Sequence, residues 1–301
     1  MINIGIIGDN NIIERHINIL KANNNVNIIG FSSCSEDVRT VISSKYDLPY
    51  FKNIDNLISL SDTIDLLCDN DLFYILSEKI FKSSKNIFIN SSYFNDITKA
   101  KRLISLAQEA GANTHVSFSH RYNPAFLSVK NHINNPMIIE SKRVVKHYND
   151  DISIVYDFML QDLDLIMSIV NSDVRKISAN GLSFDKRKID LANVRIEFNN
   201  GCVANLVAGI NNENEENKID IFQQNAHISV NFNENTSQII IFENNIKLSP
   251  RIENTDPVEN EILNFLKSQN EQKSNIEESF NTLKVANIID EKIKISSNLV
   301  Y

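Results

Sequence analysis

Residues 2–21 read INIGIIGDNNIIERHINILK, and they decide how the first half of the chain is interpreted. They open with a short, mainly apolar run that ends at Gly8, which is typical of a buried strand. From Asn11 to Lys21 the apolar residues recur at helical spacing. A strand, a turn and a helix in this order predict the first part of a βαβ unit.

The same alternation of strand and helix continues to residue 118. Short apolar runs predict further strands over residues 26–31, 63–68, 85–90 and 113–118. A helix is predicted over residues 35–45, with Ser35 as its N-cap. Two more are predicted, one that follows the third strand and runs to residue 82, and one over residues 96–110. This order implies right-handed crossovers and a parallel sheet, in which ligands lie beyond the carboxyl ends of the strands.

The turn after the first strand is where a dinucleotide-binding loop would lie. Such a loop reads G-x-G-x-x-G, because glycines let the pyrophosphate approach the helix N-terminus closely. Here Gly8 is the first glycine, whereas Asn10 and Ile13 stand at the second and third positions. Asp9 brings a negative charge to the place of a phosphate, and the second strand ends near Ser33 rather than at an acid. The loop alone therefore argues against a tight nucleotide site.

The second half of the chain has a different period. Residues 137–147, 174–184, 190–198, 202–210, 218–223, 227–232 and 238–242 are predicted strands, several of them with alternating apolar residues. Val194, Ile196 and Phe198 are expected on one face, and the turn Asn199-Asn200-Gly201 joins two of the strands. We expect an open, mainly antiparallel sheet that needs a cover on one face.

Helices are predicted around this sheet. A short helix is expected at residues 125–133, and closing helices are expected at 256–269, started by Asp256 and Pro257, and at 277–294. The sequence VYDFMLQDLDLIMSIV, residues 155–170, predicts the helix that covers the sheet. On a regular helix its Asp157, Gln161 and Asp164 form one stripe. These polar groups either form the solvated edge of an amphipathic helix or are paired and used.

Composition limits the class of protein. The chain has 301 residues and a formal charge of −8, which suggests two domains and argues against nucleic acid or an anionic membrane as main partner. Cys34, Cys68 and Cys202 are too far apart in sequence to suggest a disulfide framework or a cysteine-based metal site. No apolar run is long enough to span a bilayer. We therefore expect a cytoplasmic protein.

Several strings together resemble the Gfo/Idh/MocA family of NAD(P)-dependent sugar oxidoreductases, and its Bacteroidetes-type members in particular. They cover nearly the whole chain: IGIIG at 4–8 with His16, RYNPAF at 121–126, NPMIIE at 135–140, residues 157–164, KISA at 176–179, and ANVRIEF at 192–198 running on to GCVANL at 201–206. The resemblance implies an α/β protein, with a Rossmann-like parallel-sheet domain at residues 1–120. A substrate domain at 121–301 follows, of α+β type with a large open sheet.

The resemblance also implies ligands and partners. It predicts NAD or NADP as cofactor, a sugar or nucleotide-sugar as substrate, and a homo-oligomer formed through the C-terminal sheet. The cofactor-binding positions correspond to Gly8, Asn10, Ser33 and Ser91 of this chain.

The chain departs from the family at the two groups that move protons. The lysine of the family's Glu-Lys-Pro motif corresponds to Ser91, within Asn90-Ser91-Ser92, and the catalytic histidine corresponds to Gln161. A serine is too weak an acid and base to replace the lysine unaided, and an amide has no proton to exchange near neutral pH. The loss of one general acid–base group commonly lowers the rate by about 10²–10⁴.

Other residues are candidates for the missing chemistry. Asp157 and His120 could each act as the base, with Gln161 hydrogen-bonded to the substrate; the alternative for His120 is a solvated loop histidine. Arg121 and Asn123 would position an anionic or hydroxylated substrate, or form a structural turn.

Three further residues complete the candidates. Asp164 is a further substrate-side candidate, or an orienting charge on the helix. Tyr93 and Tyr122 are additional candidates, with packing as the alternative.

These observations leave three hypotheses about function. The first is an oxidoreductase with weakened or rewired chemistry. The second is a non-catalytic homologue that acts as a sugar-binding or partner subunit. The third is a decaying gene product that still folds.

Overall fold

The computed structural model describes residues 1–9, 12–68, 70–91, 94–146, 153–184, 188–210, 215–269 and 274–298. The chain forms two compact units. Unit 1 consists of Met1–Ser117 and Glu261–Phe280, and unit 2 consists of Phe118–Asn260 and Asn281–Tyr301. No helix within the described ranges combines the length and the apolar composition that crossing a membrane requires.

Unit 1 is built on a parallel five-stranded sheet with the strand order β2-β1-β3-β4-β5. All pairs of neighbouring strands in it are parallel, and the expected strand–helix alternation of a Rossmann-like fold is confirmed. Its strands are β1 (Ile2–Gly8), β2 (Val26–Ser32), β3 (Thr63–Leu67), β4 (Asn86–Asn90) and β5 (Thr114–Ser117).

Helices connect the strands of unit 1 as the spacing predicts. Ser35 is the N-cap of the second helix, since its hydroxyl accepts a hydrogen bond from the amide of Val38 at 3.3 Å. The helices are α1 (Ile12–Lys21), α2 (Glu36–Tyr46), α3 (Ile54–Leu60), α4 (Asn70–Lys82) and α5 (Ile97–Ala110). The short helix α3 was not predicted; Asn53 caps it by accepting from Asp55 N.

The outer edge of β5 is covered by a segment from far along the chain. Asn275 forms two side-chain hydrogen bonds to Val116: the amide of Val116 donates to Asn275 Oδ1 at 2.7 Å, and Asn275 Nδ2 donates to the carbonyl of Val116 at 2.8 Å. Ser274 Oγ donates to the carbonyl of Thr114 at 2.9 Å. The side chain of Asn275 therefore takes the place of a neighbouring strand at this point of the sheet edge.

Unit 2 contains an eight-stranded sheet with the order β13-β12-β11-β10-β6-β9-β8-β7. The sheet is antiparallel except for the central pair β6 and β9, so the predicted mainly antiparallel sheet is confirmed. Its strands are β6 (Ile138–Val145), β7 (Val174–Leu182), β8 (Leu191–Phe198), β9 (Val203–Ile210), β10 (Glu216–Gln223), β11 (Ala226–Asn231), β12 (Thr236–Ile241) and β13 (Ile246–Leu248). The short edge strand β13 was not predicted.

The two faces of this sheet differ as the alternation predicts. Val194, Ile196 and Phe198 of β8 are buried, whereas Arg195 between them is exposed. The turn to β9 is confirmed as well: Gly201 has φ 88°, a conformation that favours glycine, and its amide donates to the carbonyl of Phe198.

The helices of unit 2 differ from the prediction mainly at residues 155–159. A short 3₁₀ turn, Ser119–Tyr122, is followed by α6 (Pro124–Lys130). The expected helix at 155–170 is not regular: Val155–Met159 form a π-helical turn, and α7 (Leu160–Val170) begins only after it. A π-turn is wider by one residue, so Asp157 departs from the single stripe predicted for it with Gln161 and Asp164, which both lie in the regular helix α7.

The chain ends with two helices that both units share. They are α8 (Pro257–Ser268) and α9 (Ile276–Asn298). Asp256 starts α8 as predicted, because its carboxylate accepts a hydrogen bond from Val258 N at 2.7 Å. The chain passes from unit 2 to unit 1 within α8 and back to unit 2 within α9.

Candidate functional site

The carboxyl edge of the parallel sheet in unit 1 holds three of the predicted cofactor residues. Gly8 ends β1, and Ser33 and Ser91 directly follow β2 and β4. Both serines are buried, and the carbonyl of Ser91 accepts a hydrogen bond from Phe94 N at 3.0 Å. Asn10 and Tyr93 lie outside the described residues.

Gly8 is required by the packing of the sheet itself. A Cβ atom at this position would lie 2.8 Å from Leu67 Cβ and 2.9 Å from the carbonyl oxygen of Leu67, on the neighbouring strand. It would also lie 3.1 Å from Cδ1 of Ile13, which is fully buried. The isoleucine at the third glycine position is thus accommodated in the contact between α1 and β1.

The carboxylate of Asp9 is directed to the end of β2. Its Oδ1 atom accepts three hydrogen bonds: from Ser33 Oγ at 2.7 Å, from Cys34 N at 2.5 Å and from Ser35 N at 3.1 Å. The last two donors lie at the start of α2, where backbone amides have no partner within the helix. Asp9 therefore neutralises the positive end of α2 from a loop that belongs to another strand.

This arrangement fits the adenosine end of a nicotinamide dinucleotide. A Rossmann domain holds the ribose hydroxyls with a carboxylate at the end of its second strand. Serine and cysteine, rather than an acid, directly follow β2 in sequence, but the carboxylate of Asp9 lies at that end in space. The residues that would hold the cofactor here are Asp9 and the backbone around Ser33.

His120 lies in the 3₁₀ turn of unit 2 and is held on three sides. Its Nδ1 is 3.1 Å from Asp162 Oδ1, its Nε2 is 3.4 Å from Asn217 Nδ2, and its ring stacks on Phe232 with centroids 4.5 Å apart. Its backbone amide donates to Gln161 Oε1 at 3.5 Å. The alternative of a solvated loop histidine is therefore wrong, because the side chain is buried between α7 and the sheet.

Arg121 and Asp164 form an ion pair beside His120. Arg121 Nε donates to Asp164 Oδ2, and Nη2 donates to Oδ1 at 2.6 Å, so the contact is bidentate. Asp164 has no exposed surface. Asn123 is the N-cap of α6, where its side-chain oxygen accepts from Ala125 N at 2.9 Å. In this structure all three polar groups are engaged within the protein.

Asp157 lies in the π-helical turn and is half-buried. Burial raises the pKa of its carboxyl, and the positive charge of Arg143 opposes that rise. Arg143 is fixed by Phe158: its Nη1 donates to the carbonyl at 3.0 Å, and its guanidinium lies 5.7 Å from the ring centroid. A carboxylate with a raised pKa is better suited to accept a proton near neutral pH.

The structure thus brings His120 together with Gln161, and Arg121 together with Asp164, whereas Asp157 faces Arg143. The sequence interpretation missed Asp162, which is buried against His120. Asp162 lies next to Gln161 in sequence, so a search for polar residues on every face of this helix would have found it.

Comparison with known proteins finds a match to a family model in the first part of the chain. Residues 2–118 match the Gfo/Idh/MocA profile, described as an oxidoreductase family with an NAD-binding Rossmann fold. The UDP-N-acetylglucosamine 3-dehydrogenase of Acidithiobacillus ferrooxidans is 26% identical over 192 residues, which make up 63% of this chain. The matched region spans 61% of the length of that curated relative.

Solved structures share the fold of the whole chain. A structure of the same Acidithiobacillus enzyme has a TM-score of 0.91 at 20% identity, covering 98% of this chain and 99% of that one. A dehydrogenase from Clostridium difficile has a TM-score of 0.86 at 17% identity, with 97% and 99% covered. A mutant 3-ketoreductase from Actinomadura kijaniata, in complex with TDP-benzene and NADP, has a TM-score of 0.81 at 14% identity, with 97% and 98% covered.

The resemblance predicted from the sequence is confirmed: residues 2–118 match the model of the Gfo/Idh/MocA oxidoreductase family with its NAD-binding Rossmann fold, and the chain as a whole has the fold of the three solved structures.

Proposed function

We propose that this protein is a nicotinamide-dependent oxidoreductase of sugars or nucleotide-sugars in which His120 handles the substrate proton. The observation that carries the proposal is the buried pair of His120 and Asp162, 3.1 Å apart. The substrate class follows the relatives, among which are a UDP-N-acetylglucosamine 3-dehydrogenase and a 3-ketoreductase seen with a TDP derivative.

The pair supplies what the reaction needs from the protein. When bound, the nicotinamide cofactor accepts or donates the hydride. His120 takes up the hydroxyl proton at Nε2, while its Nδ1–H donates to the carboxylate of Asp162. The buried carboxylate fixes the tautomer and stabilises the imidazolium that forms, as in other His–Asp pairs. At 3.4 Å the contact of Nε2 with Asn217 is long, so a substrate hydroxyl can replace it.

Asp157 is the second candidate for the proton acceptor. Burial raises the pKa of its carboxyl, and it lies on the π-turn directly before α7. Gln161 and Ser91, which correspond to the family's histidine and lysine, have no proton to exchange near neutral pH. We therefore propose an activity that is weaker than that of relatives with both groups, by a factor of the order of 10²–10⁴ for each lost group.

A non-catalytic sugar-binding or partner subunit is the competing function. It is favoured by the engagement of Arg121, Asp164 and Gln161 in contacts within the protein. Under this alternative the His120–Asp162 pair is a structural contact between the 3₁₀ turn and α7.

The test combines cofactor binding with turnover. Titration calorimetry with NADH and NADPH first establishes binding, and a panel of UDP- and TDP-sugars is then assayed for nicotinamide absorbance. We expect His120→Gln to lower kcat by about 10²–10⁴ while the cofactor Kd is unchanged. His132→Gln is the matched control, since His132 is an exposed histidine of the same unit. Cofactor binding without turnover would favour the non-catalytic subunit, and equal rates in both variants would reject His120 as the proton acceptor.

The homo-oligomer is also part of this proposal. The face of the unit 2 sheet that carries Arg195 is exposed in the single chain and is the surface through which we expect copies to associate. Light scattering coupled to size exclusion would measure the mass, and a monomer at micromolar concentration would contradict the expectation.

A further inference from the structure

Three hydrogen-bond donors at the end of β2 converge on a single atom. Ser33 Oγ, Cys34 N and Ser35 N all donate to Oδ1 of Asp9, at 2.7, 2.5 and 3.1 Å. Two backbone amides at a helix start together with a hydroxyl are a donor set that binds phosphate groups. In this protein the carboxylate of Asp9 already accepts hydrogen bonds from all three donors.

The same carboxylate has a second oxygen. Within the described part of the chain no hydrogen bond reaches Oδ2 of Asp9, whereas Oδ1 is saturated by its three donors. A fixed, ionised oxygen at the end of the second strand can accept hydrogen bonds from ribose hydroxyls. A phosphate at the ribose 2′ position would need the donors that Asp9 uses and would meet its negative charge.

We propose that Asp9, from the loop after β1, replaces the acid that is missing after β2, and that it makes the protein select NAD(H) over NADP(H). The inference rests on the proposed function, since it concerns the cofactor of that reaction. One residue, Asp9, then determines the choice between the two cofactors, although it does not stand at a glycine position of the loop motif.

The positive charge of Arg39 lies near the same end of β2, so the negative charge of Asp9 determines which cofactor the site prefers. The guanidinium carbon of Arg39 lies 5.5 Å from the ring centroid of Tyr50, whose hydroxyl is 3.5 Å from the carbonyl oxygen of Ser33. Arg39 Nε is buried with no hydrogen-bond partner among the described residues. An arginine at this end of the sheet favours a 2′-phosphate. Without the charge of Asp9 the site would therefore accept NADP(H).

The experiment measures dissociation constants of NADH and NADPH by cofactor fluorescence. Asp9→Asn keeps the oxygen that accepts the three hydrogen bonds and removes only the charge, so the fold is retained. Asp37→Asn is the matched control, because Asp37 is exposed in the first turn of α2. We expect wild type and Asp37→Asn to bind NADH at least about tenfold more tightly than NADPH, and Asp9→Asn to lose at least about tenfold of this preference.

Cysteine labelling provides a second readout that does not depend on turnover. Cys34 is exposed and its amide contacts Asp9, so bound NADH is expected to protect its thiol from maleimide in the wild type. NADPH at the same concentration should protect Asp9→Asn but not the wild type. An unchanged preference in Asp9→Asn, or equal affinity of the wild type for both cofactors, overturns the inference and leaves the proposed function intact. Failure of both cofactors to bind overturns both.

Discussion

Replacing Arg121 by alanine is expected to destabilise unit 2, because it removes a bidentate partner from the fully buried carboxylate of Asp164. Breaking a buried ion pair by deleting one partner costs about 3–5 kcal/mol, since the other charge is left without compensation. The Arg121 side chain is itself 22% exposed, which places the expected loss near the lower end, at about 3 kcal/mol.

The measurement is urea unfolding followed by far-UV circular dichroism at neutral pH. The matched control is Arg175→Ala, which removes one of two arginine partners of Glu197, the one at 2.7 Å, whose side chain is 63% exposed. Exposed pairs contribute about 0–1 kcal/mol, so this variant should unfold almost as the wild type does. The double variant Arg121→Ala/Asp164→Asn should recover part of the loss, because the buried charge is gone.

A loss in Arg121→Ala no larger than that in Arg175→Ala would refute the reasoning. It would mean that other groups compensate the charge of Asp164. A double variant that is less stable than Arg121→Ala alone would refute it as well, because the cost would then not arise from the carboxylate charge.

Three further predictions concern packing and titration. Gly8→Ala should lower the free energy of unfolding by about 1–3 kcal/mol in urea titrations, since the added methyl group would lie 2.8 Å from Leu67 Cβ; an unchanged midpoint would contradict this. Burial raises the pKa of Asp157 against the opposing charge of Arg143, so its contribution to stability is present at low pH and is lost as the pH rises through the folded-state pKa. The free energy of unfolding of Asp157→Asn, relative to that of the wild type, should therefore be higher at pH 7 than at pH 4. An equal difference at both pH values would contradict the raised pKa. Burial raises the pKa of Tyr74 to about 12, so Tyr74→Phe should remove a phenol that ionises near pH 12 from an absorbance titration; loss of a phenol that ionises at lower pH instead would disprove this.

The fold was largely predictable because its signals are local and repeated. The apolar runs of unit 1 and the alternation along β8 follow directly from which side chains must be buried. The elements that were missed are short: α3 depends on the cap at Asn53, and β13 is a three-residue edge strand. The π-turn before α7 could not be predicted, since it does not change the composition of the segment.

The contacts of the candidate site depend on residues that are distant in sequence. The pairing of His120 with Asp162 joins residues 42 positions apart, and its contact with Asn217 comes from a strand of the sheet. The position of Asp9 could have been predicted from the sequence, because neighbouring parallel strands such as β1 and β2 have their carboxyl ends side by side. Asp9 was missed because the acid was expected to follow β2 directly in sequence, whereas Asp9 reaches the end of β2 from the loop after β1.

The hydrogen bonds from Asn275 to β5 have a consequence for how the protein is made. The ribosome completes β5 early, but the residues that cover its outer edge emerge only after every strand of unit 2 has been synthesised. Throughout that interval the nascent sheet presents an open edge, which is the kind of surface that pairs with other chains. Newly made chains therefore carry an unprotected sheet edge until Asn275 has left the exit tunnel.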